Sequence, residues 1–211
     1  MHKARLIERL AADLEPTHRL PAGSAVALWL ALSWTFVVVV TLATGDLRPG
    51  VVAQLTHSPR FVTECLLGFG VGFFAIRTGV LLALPGRTRW KRAVPAALGM
   101  VALWVGLYVY GLVDPALEPS MEGKRPHCFL ETLVFSSFPL VLGLWLVARR
   151  TPTRRGWTGV LVGVSAASLP ALMMQVACMY DPEHILLLHL LPVVVMGMLG
   201  GVLGRTFVQK P

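Results

Sequence analysis

The sequence predicts an all-α, polytopic membrane protein with six transmembrane helices and both termini in the cytoplasm. Three observations carry this: an apolar composition, apolar residues gathered in blocks of bilayer length, and basic residues confined to alternate connections. Of 211 residues, 55% are hydrophobic and 14% are charged. A soluble domain of this length is nearer half apolar with about a quarter charged. The net charge of +8 raises a nucleic-acid reading. However, Lys and Arg stand in short clusters between apolar blocks, as in loops facing an anionic leaflet. No polar segment is long enough for a nucleic-acid module, so direct nucleic-acid binding is not expected. The three cysteines are too few for a disulfide scaffold, and no C-x-x-C occurs, which excludes zinc-ribbon and thioredoxin-like motifs on spacing.

Two parts are expected: a cytoplasmic segment over residues 1–21 and a transmembrane domain over residues 22–211. In the first, "MHKARLIERLAADLEPTHRLP", Leu6, Ile7, Leu10, Ala11 and Leu14 recur at helical spacing, with Arg5, Glu8, Arg9 and Asp13 opposite. Pro16 ends this amphipathic helix. Its apolar stripe suits a lipid surface or a groove on a soluble partner. A bilayer core takes about 20 apolar residues as a helix. Six blocks qualify: Ala22–Thr44, Phe61–Leu84, Ala93–Val113, Cys128–Ala148, Trp157–Cys178 and His184–Leu203. The first is too long for a signal-peptide h-region and reads as a retained anchor. Connections such as "GDLRPG", "PGRTRWKR" and "RRTPTRRG" carry turn residues and charge. Glycines four apart (68 and 72, 159 and 163, 197 and 201, 200 and 204) suit close helix packing. Pro95, Pro139, Pro170 and Pro192 predict local kinks.

Orientation follows from the cations. Fourteen Lys and Arg fall in the N-terminal segment, the second and fourth connections and the C-terminal tail. The other connections hold four: Arg48, Arg60, Lys124 and Arg125. The positive-inside rule then places both termini in the cytoplasm. All three cysteines and the in-span acids Glu64 and Glu131 fall toward the outer leaflet. So does the stretch "MQVACMYDPEHILLLH" from Met174 to His189.

Three readings of this outer cluster stand side by side. Cys128 and Cys178 form a reversible disulfide, as an oxidising compartment permits. Alternatively they bind a soft or borderline metal, transiently, with His127 or His184 and a carboxylate such as Glu131 or Asp181. Or the cysteines are small apolar packers and the polar groups are wetted at the interface. On a regular helix, His184 and His189 lie five apart and point to different faces, which argues against one metal shared by both. No other cofactor is expected, and no C-x-x-C or paired cofactor histidine suggests an enzyme. A small transporter or membrane redox protein remains the alternative, although polar groups near the midplane are few.

The chain resembles the NrsF-type (DUF1109) six-span anti-sigma factors, negative regulators of extracytoplasmic-function (ECF) sigma factors. The resemblance spans essentially the whole length. "LIERLAADLEP" at residues 6–16, "CFLETLVFSSFPLVLGLWLVARRTPTRRGWTG" from Cys128 to Gly159, and "CMYDPEH" from Cys178 carry it. It implies an inner-membrane regulator without catalytic activity. Residues around Arg5, Leu6, Leu10, Asp13 and Leu14 would hold an ECF sigma factor. Cys128 and Cys178, with Glu131, His127, Asp181 and His184 around them, would sense stress outside. The chain has Met179-Tyr180-Asp181-Pro182 where the family often has an acidic pair. The related light-responsive carotenoid regulators of myxobacteria share the architecture. The implied signal is therefore metal, redox or photo-oxidative.

Overall fold

A computed structural model describes residues 20–84, 90–150 and 152–206. All regular structure among them is helical. Among the described residues, six helices are long and apolar enough to cross a membrane: α1 (Ala22–Thr44), α3 (Pro59–Leu82), α4 (Trp90–Gly111), α5 (Cys128–Ala148), α6 (Arg155–Ala177) and α7 (Pro182–Thr206). The six apolar blocks are thus six helices, and the bounds of the first and fourth coincide with those predicted.

The other bounds shift for local reasons. Helix α3 starts at Pro59, two residues early. The Ser58 Oγ accepts from the Phe61 amide at 3.4 Å, and proline occupies the first turn, where its missing N–H costs nothing. Helix α7 starts at Pro182 in the same way, with the Asp181 carboxylate accepting from the His184 amide at 3.0 Å. The first connection holds a further short helix, α2 (Val51–His57). It follows Gly50, whose φ of 74° is a left-handed conformation that glycine adopts at little cost.

Helix α6 is the central post. It is buried along nearly its whole length and packs on α7, α3 and α5, whereas α4 is peripheral, with few buried residues. The sequence of α6 explains its position, because Gly, Ala and Ser leave room for neighbouring backbones where lipid gives helices no hydrophobic drive to associate. A Cβ at Gly159 or Gly163 would overlap the carbonyl of Gly200 or Met196 on α7, and the Cα atoms of Gly204 and Gly197 would lie only 3.0 Å from it. On α3, Gly68 takes the Trp104 ring of α4 at 2.6 Å from where a Cβ would stand. The predicted packing role of the small residues is therefore realised. Large apolar side chains such as Leu32, Val39, Val141, Met198 and Val202 face outward, as a lipid-solvated surface requires.

An even number of spans brings the two described ends together. The Arg150 guanidinium donates to the Leu20 carbonyl at 2.7 Å, and Arg205 stands against Gly156. We call this the terminal end. The connections α1–α3, α4–α5 and α6–α7 meet at the opposite, loop end.

Candidate functional site

At the loop end, four side chains converge from three helices. Cys128 begins α5, Cys178 caps the C-terminus of α6, and His184 and His189 lie on α7. The four ligand atoms these residues offer all lie within 4.8 Å of one another. Both thiols are free, with the sulfurs 2.8 Å apart and the Cys178 sulfur 3.4 Å from His184 Nε2. Cys128, Cys178 and His189 are buried. Neither ring nitrogen of His189 has a hydrogen-bond partner. The hydrogen bond from the Cys128 thiol, reinforced by His184, holds the Cys178 thiol well below its ordinary range, although burial opposes this.

The regular-helix expectation for the two histidines is overturned here. Residues Ile185–Leu190 form a π-helical turn, and the Leu191 amide donates to the Leu186 carbonyl five residues back. With i→i+5 bonding, a residue five positions on lies one turn above and not on another face. The His184 and His189 rings therefore meet edge to face with centroids 5.1 Å apart. Pro192 follows directly and has no N–H for the carbonyl of Leu188, so the wide turn absorbs a bond that an α-turn would leave broken.

Two buried arginines hold the surrounding loops. Arg125 Nη1 donates to the Glu131 carboxylate at 3.0 Å and to Thr44 Oγ1 at 3.2 Å. Its Nη2 reaches the carbonyls of Thr41 (3.0 Å) and Asp46 (3.3 Å). The Thr41 carbonyl lies in the last turn of α1, where helices leave acceptors unpaired. The Arg125 amide lies 3.5 Å from the Cys178 sulfur, to which it donates. Arg48 serves α6 in the same way. Its Nη1 donates to the Cys178 carbonyl (3.2 Å), its Nη2 to Gln54 Oε1 (2.5 Å), and its backbone amide to the Val176 carbonyl (3.1 Å). The guanidinium also lies over the Phe61 and Tyr180 rings, 5.3 and 5.7 Å from their centroids. Burial lowers the Arg48 pKa. Gly123, at φ 74°, packs on this arginine, and a Cβ there would stand 3.1 Å from Arg48 Cγ.

Beside the cysteines lies a second buried polar group. The Tyr180 hydroxyl donates to the Glu64 carboxylate at 3.1 Å and accepts from the Ala116 amide at 3.1 Å. Burial, the largest cause, and the neighbouring Glu64 push the Tyr180 phenol upward. Glu64 is fully buried on α3, so this bond joins the α6–α7 connection to α3.

Of the residues predicted to surround the cysteines, only His184 joins them directly. Glu131 is engaged by Arg125, Asp181 caps α7, and His127 is exposed at the N-cap of α5. Cys65 is half-buried and outside the cluster. Arg5, Leu6, Leu10, Asp13 and Leu14 lie outside the described residues. Sequence reasoning missed His189, Arg48, Arg125, Glu64 and Tyr180 as site components. Pro192, set just after an isolated in-span histidine, was the available signal for the first.

The chain matches the family described as "negative regulator of sigma F" over residues 10–209. It belongs to the NrsF family. The anti-sigma-F factor NrsF of Caulobacter vibrioides (strain NA1000 / CB15N) is 27% identical over 218 residues, covering 95% of each chain. No solved structure matches. The NrsF match takes in both cysteines, both histidines of α7 and Leu10 and Leu14 of the N-terminal segment.

Proposed function

We propose that this NrsF-family chain is an inner-membrane anti-sigma factor that holds an ECF sigma factor at the cytoplasmic face. It releases the partner when the cysteine cluster responds to stress on the other side. The family match over nearly the whole chain carries this reading. Both termini are cytoplasmic in it, and the role is regulatory, without catalysis.

The N-terminal segment, through Arg5, Leu6, Leu10, Asp13 and Leu14, occupies the sigma factor, and membrane lipid solvates the six spans. The cluster lies at the end of the bundle opposite Leu20, the first described residue, so a signal from it has to travel along helices. Helices α6 and α7 suit that task, because their interleaved glycines bring the two backbones into close contact along their length. At the far end, Arg150 of the fourth connection binds the Leu20 carbonyl, where the N-terminal segment joins α1. Two arrangements of this pair, differently compatible with sigma binding, are what the mechanism needs.

The test is transcriptional. Replacing Leu10 and Leu14 together with Asp places charges in an apolar contact, at several kcal/mol if that contact is buried. The expected result is constitutive sigma-dependent expression with the protein still in the membrane. Persistent repression at unchanged protein level would assign the segment to the lipid surface instead.

A further inference from the structure

We infer that Cys128, Cys178, His184 and His189 are the four ligands of one tetrahedral zinc ion. The inference concerns the same cluster as the proposed sensor. Only its regulatory use rests on the anti-sigma reading; metal binding itself does not.

The donor atoms already lie within 4.8 Å of one another. With Zn–S near 2.3 Å and Zn–N near 2.0–2.1 Å, a tetrahedron has edges of about 3.3–3.8 Å. The Cys178–His184 separation of 3.4 Å falls in that range. The sulfurs, at 2.8 Å, need to part by about 1 Å, which side-chain rotation supplies. His189 is the second, independent sign. It is fully buried, and both ring nitrogens lack a hydrogen-bond partner while the ring stands among thiols. Buried polar groups are ordinarily satisfied, and one left over asks for a ligand. The π-turn is the third sign. It is an uncommon conformation, and here its effect is to put His184 and His189 on one face.

Charge selects the ion. Zn²⁺ takes both sulfurs as thiolates, any proton left on them going to solvent, and two thiolates with two neutral imidazoles leave a neutral complex. A neutral complex suits a buried site, where a net charge would be heavily penalised. Two sulfurs and two nitrogens in tetrahedral array are the donor set of Zn²⁺ rather than of Mg²⁺ or Ca²⁺. The nearby carboxylates are engaged elsewhere, Glu131 by Arg125 and Asp181 by the His184 amide. Four protein ligands leave no open position, so the ion is a clip joining α5, α6 and α7 and not a catalytic centre. The Arg125 amide, 3.5 Å from the Cys178 sulfur, supplies the outer hydrogen bond that orients a thiolate ligand.

The experiment uses the full chain, purified in detergent from zinc-supplemented cells and analysed for metal. One zinc per chain is expected. Replacement by Co²⁺ should give the intense visible bands and near-ultraviolet thiolate charge transfer of a tetrahedral two-sulfur, two-nitrogen site. His184→Ala and His189→Ala should each weaken zinc in a chelator competition by more than the roughly 10–100-fold typical of losing an outer-shell partner. His127→Ala and Cys65→Ser should keep the ion. Should the histidine variants fail to fold, the wild-type Co²⁺ spectrum still decides, because thiolates without imidazoles give a different band pattern. A Cys128–Cys178 disulfide in metal-free protein made in excess zinc overturns the proposal. So does zinc retained at full affinity by both histidine variants. Zinc-loaded protein that fails to repress transcription counts against the anti-sigma reading alone; repression by protein that never takes up zinc counts against this one alone.

Discussion

Arg125 shows how one side chain organises the loop end. Its guanidinium engages Glu131, Thr44 and the carbonyls of Thr41 and Asp46, while its backbone amide and carbonyl meet the two cysteine sulfurs. A lysine presents one compact charge and lacks the planar fork. Arg125→Lys should therefore lower the stability of the solubilised protein by about 2–3 kcal/mol, the worth of one or two hydrogen bonds to a charged group. Faster alkylation of Cys128 and Cys178 in the variant would report the loosened cover. An unchanged alkylation rate would show that Arg125 does not shield them. The cysteines themselves should act as one unit. Cys128→Ser, Cys178→Ser and the double variant should give the same phenotype, repression kept and response to the inducer lost, because members of one site are non-additive. Cys65→Ser, outside the cluster, should respond like the wild type. A reporter of sigma-dependent transcription checks all four. In the sequence, Arg48 and Arg125 are two loop cations and nothing more. Their binding partners are as far as 130 residues away in the chain, and local patterning holds no trace of such contacts.

At the scale of elements, helix existence was legible and helix detail was not. Six apolar blocks give six helices because bilayer thickness fixes their length. The ends moved where Ser58-Pro59 and Asp181-Pro182 supply a cap and a first-turn proline. The π-turn of α7 has no signature in the apolar pattern, because a regular 3.6-residue period through Ile185–Leu190 separates His184 from His189. Glycine spacing was a sounder guide. Gly163→Ala puts a methyl into the Met196 carbonyl, which forces α6 and α7 apart at an overpacking cost of about 1–3 kcal/mol. Gly106→Ala on α4 has open space within 4 Å and should gain about 0.5–1 kcal/mol from helix propensity. Thermal unfolding of the two variants in the same detergent should move in opposite directions. Equal shifts would remove the close α6–α7 approach from the account.

For the whole molecule, the proposed orientation puts the loop end outside the cytoplasm. Two of the four cations at that end, Arg48 and Arg125, are buried against partners, and Arg60 is paired with Asp114 at 2.8 Å. The Arg60 guanidinium and the Tyr110 hydroxyl hold the exposed Asp114 carboxyl below its ordinary range, the Tyr110 bond counting most. A reporter active only outside the cytoplasm should be active when fused after Met121 and silent after Thr153. The reverse pattern would put the cysteines in a reducing compartment.

In the proposed function, the N-terminal segment of this NrsF-family protein holds a sigma factor at the membrane. The most direct test is co-purification from the native host, with full-length wild type and the Leu10→Asp/Leu14→Asp variant solubilised at equal membrane levels and bound proteins identified by mass spectrometry. A sigma factor in stoichiometric amount is expected with the wild type, and its loss from the variant. A wild type that brings down no sigma factor, or a variant that holds one as tightly, would contradict it.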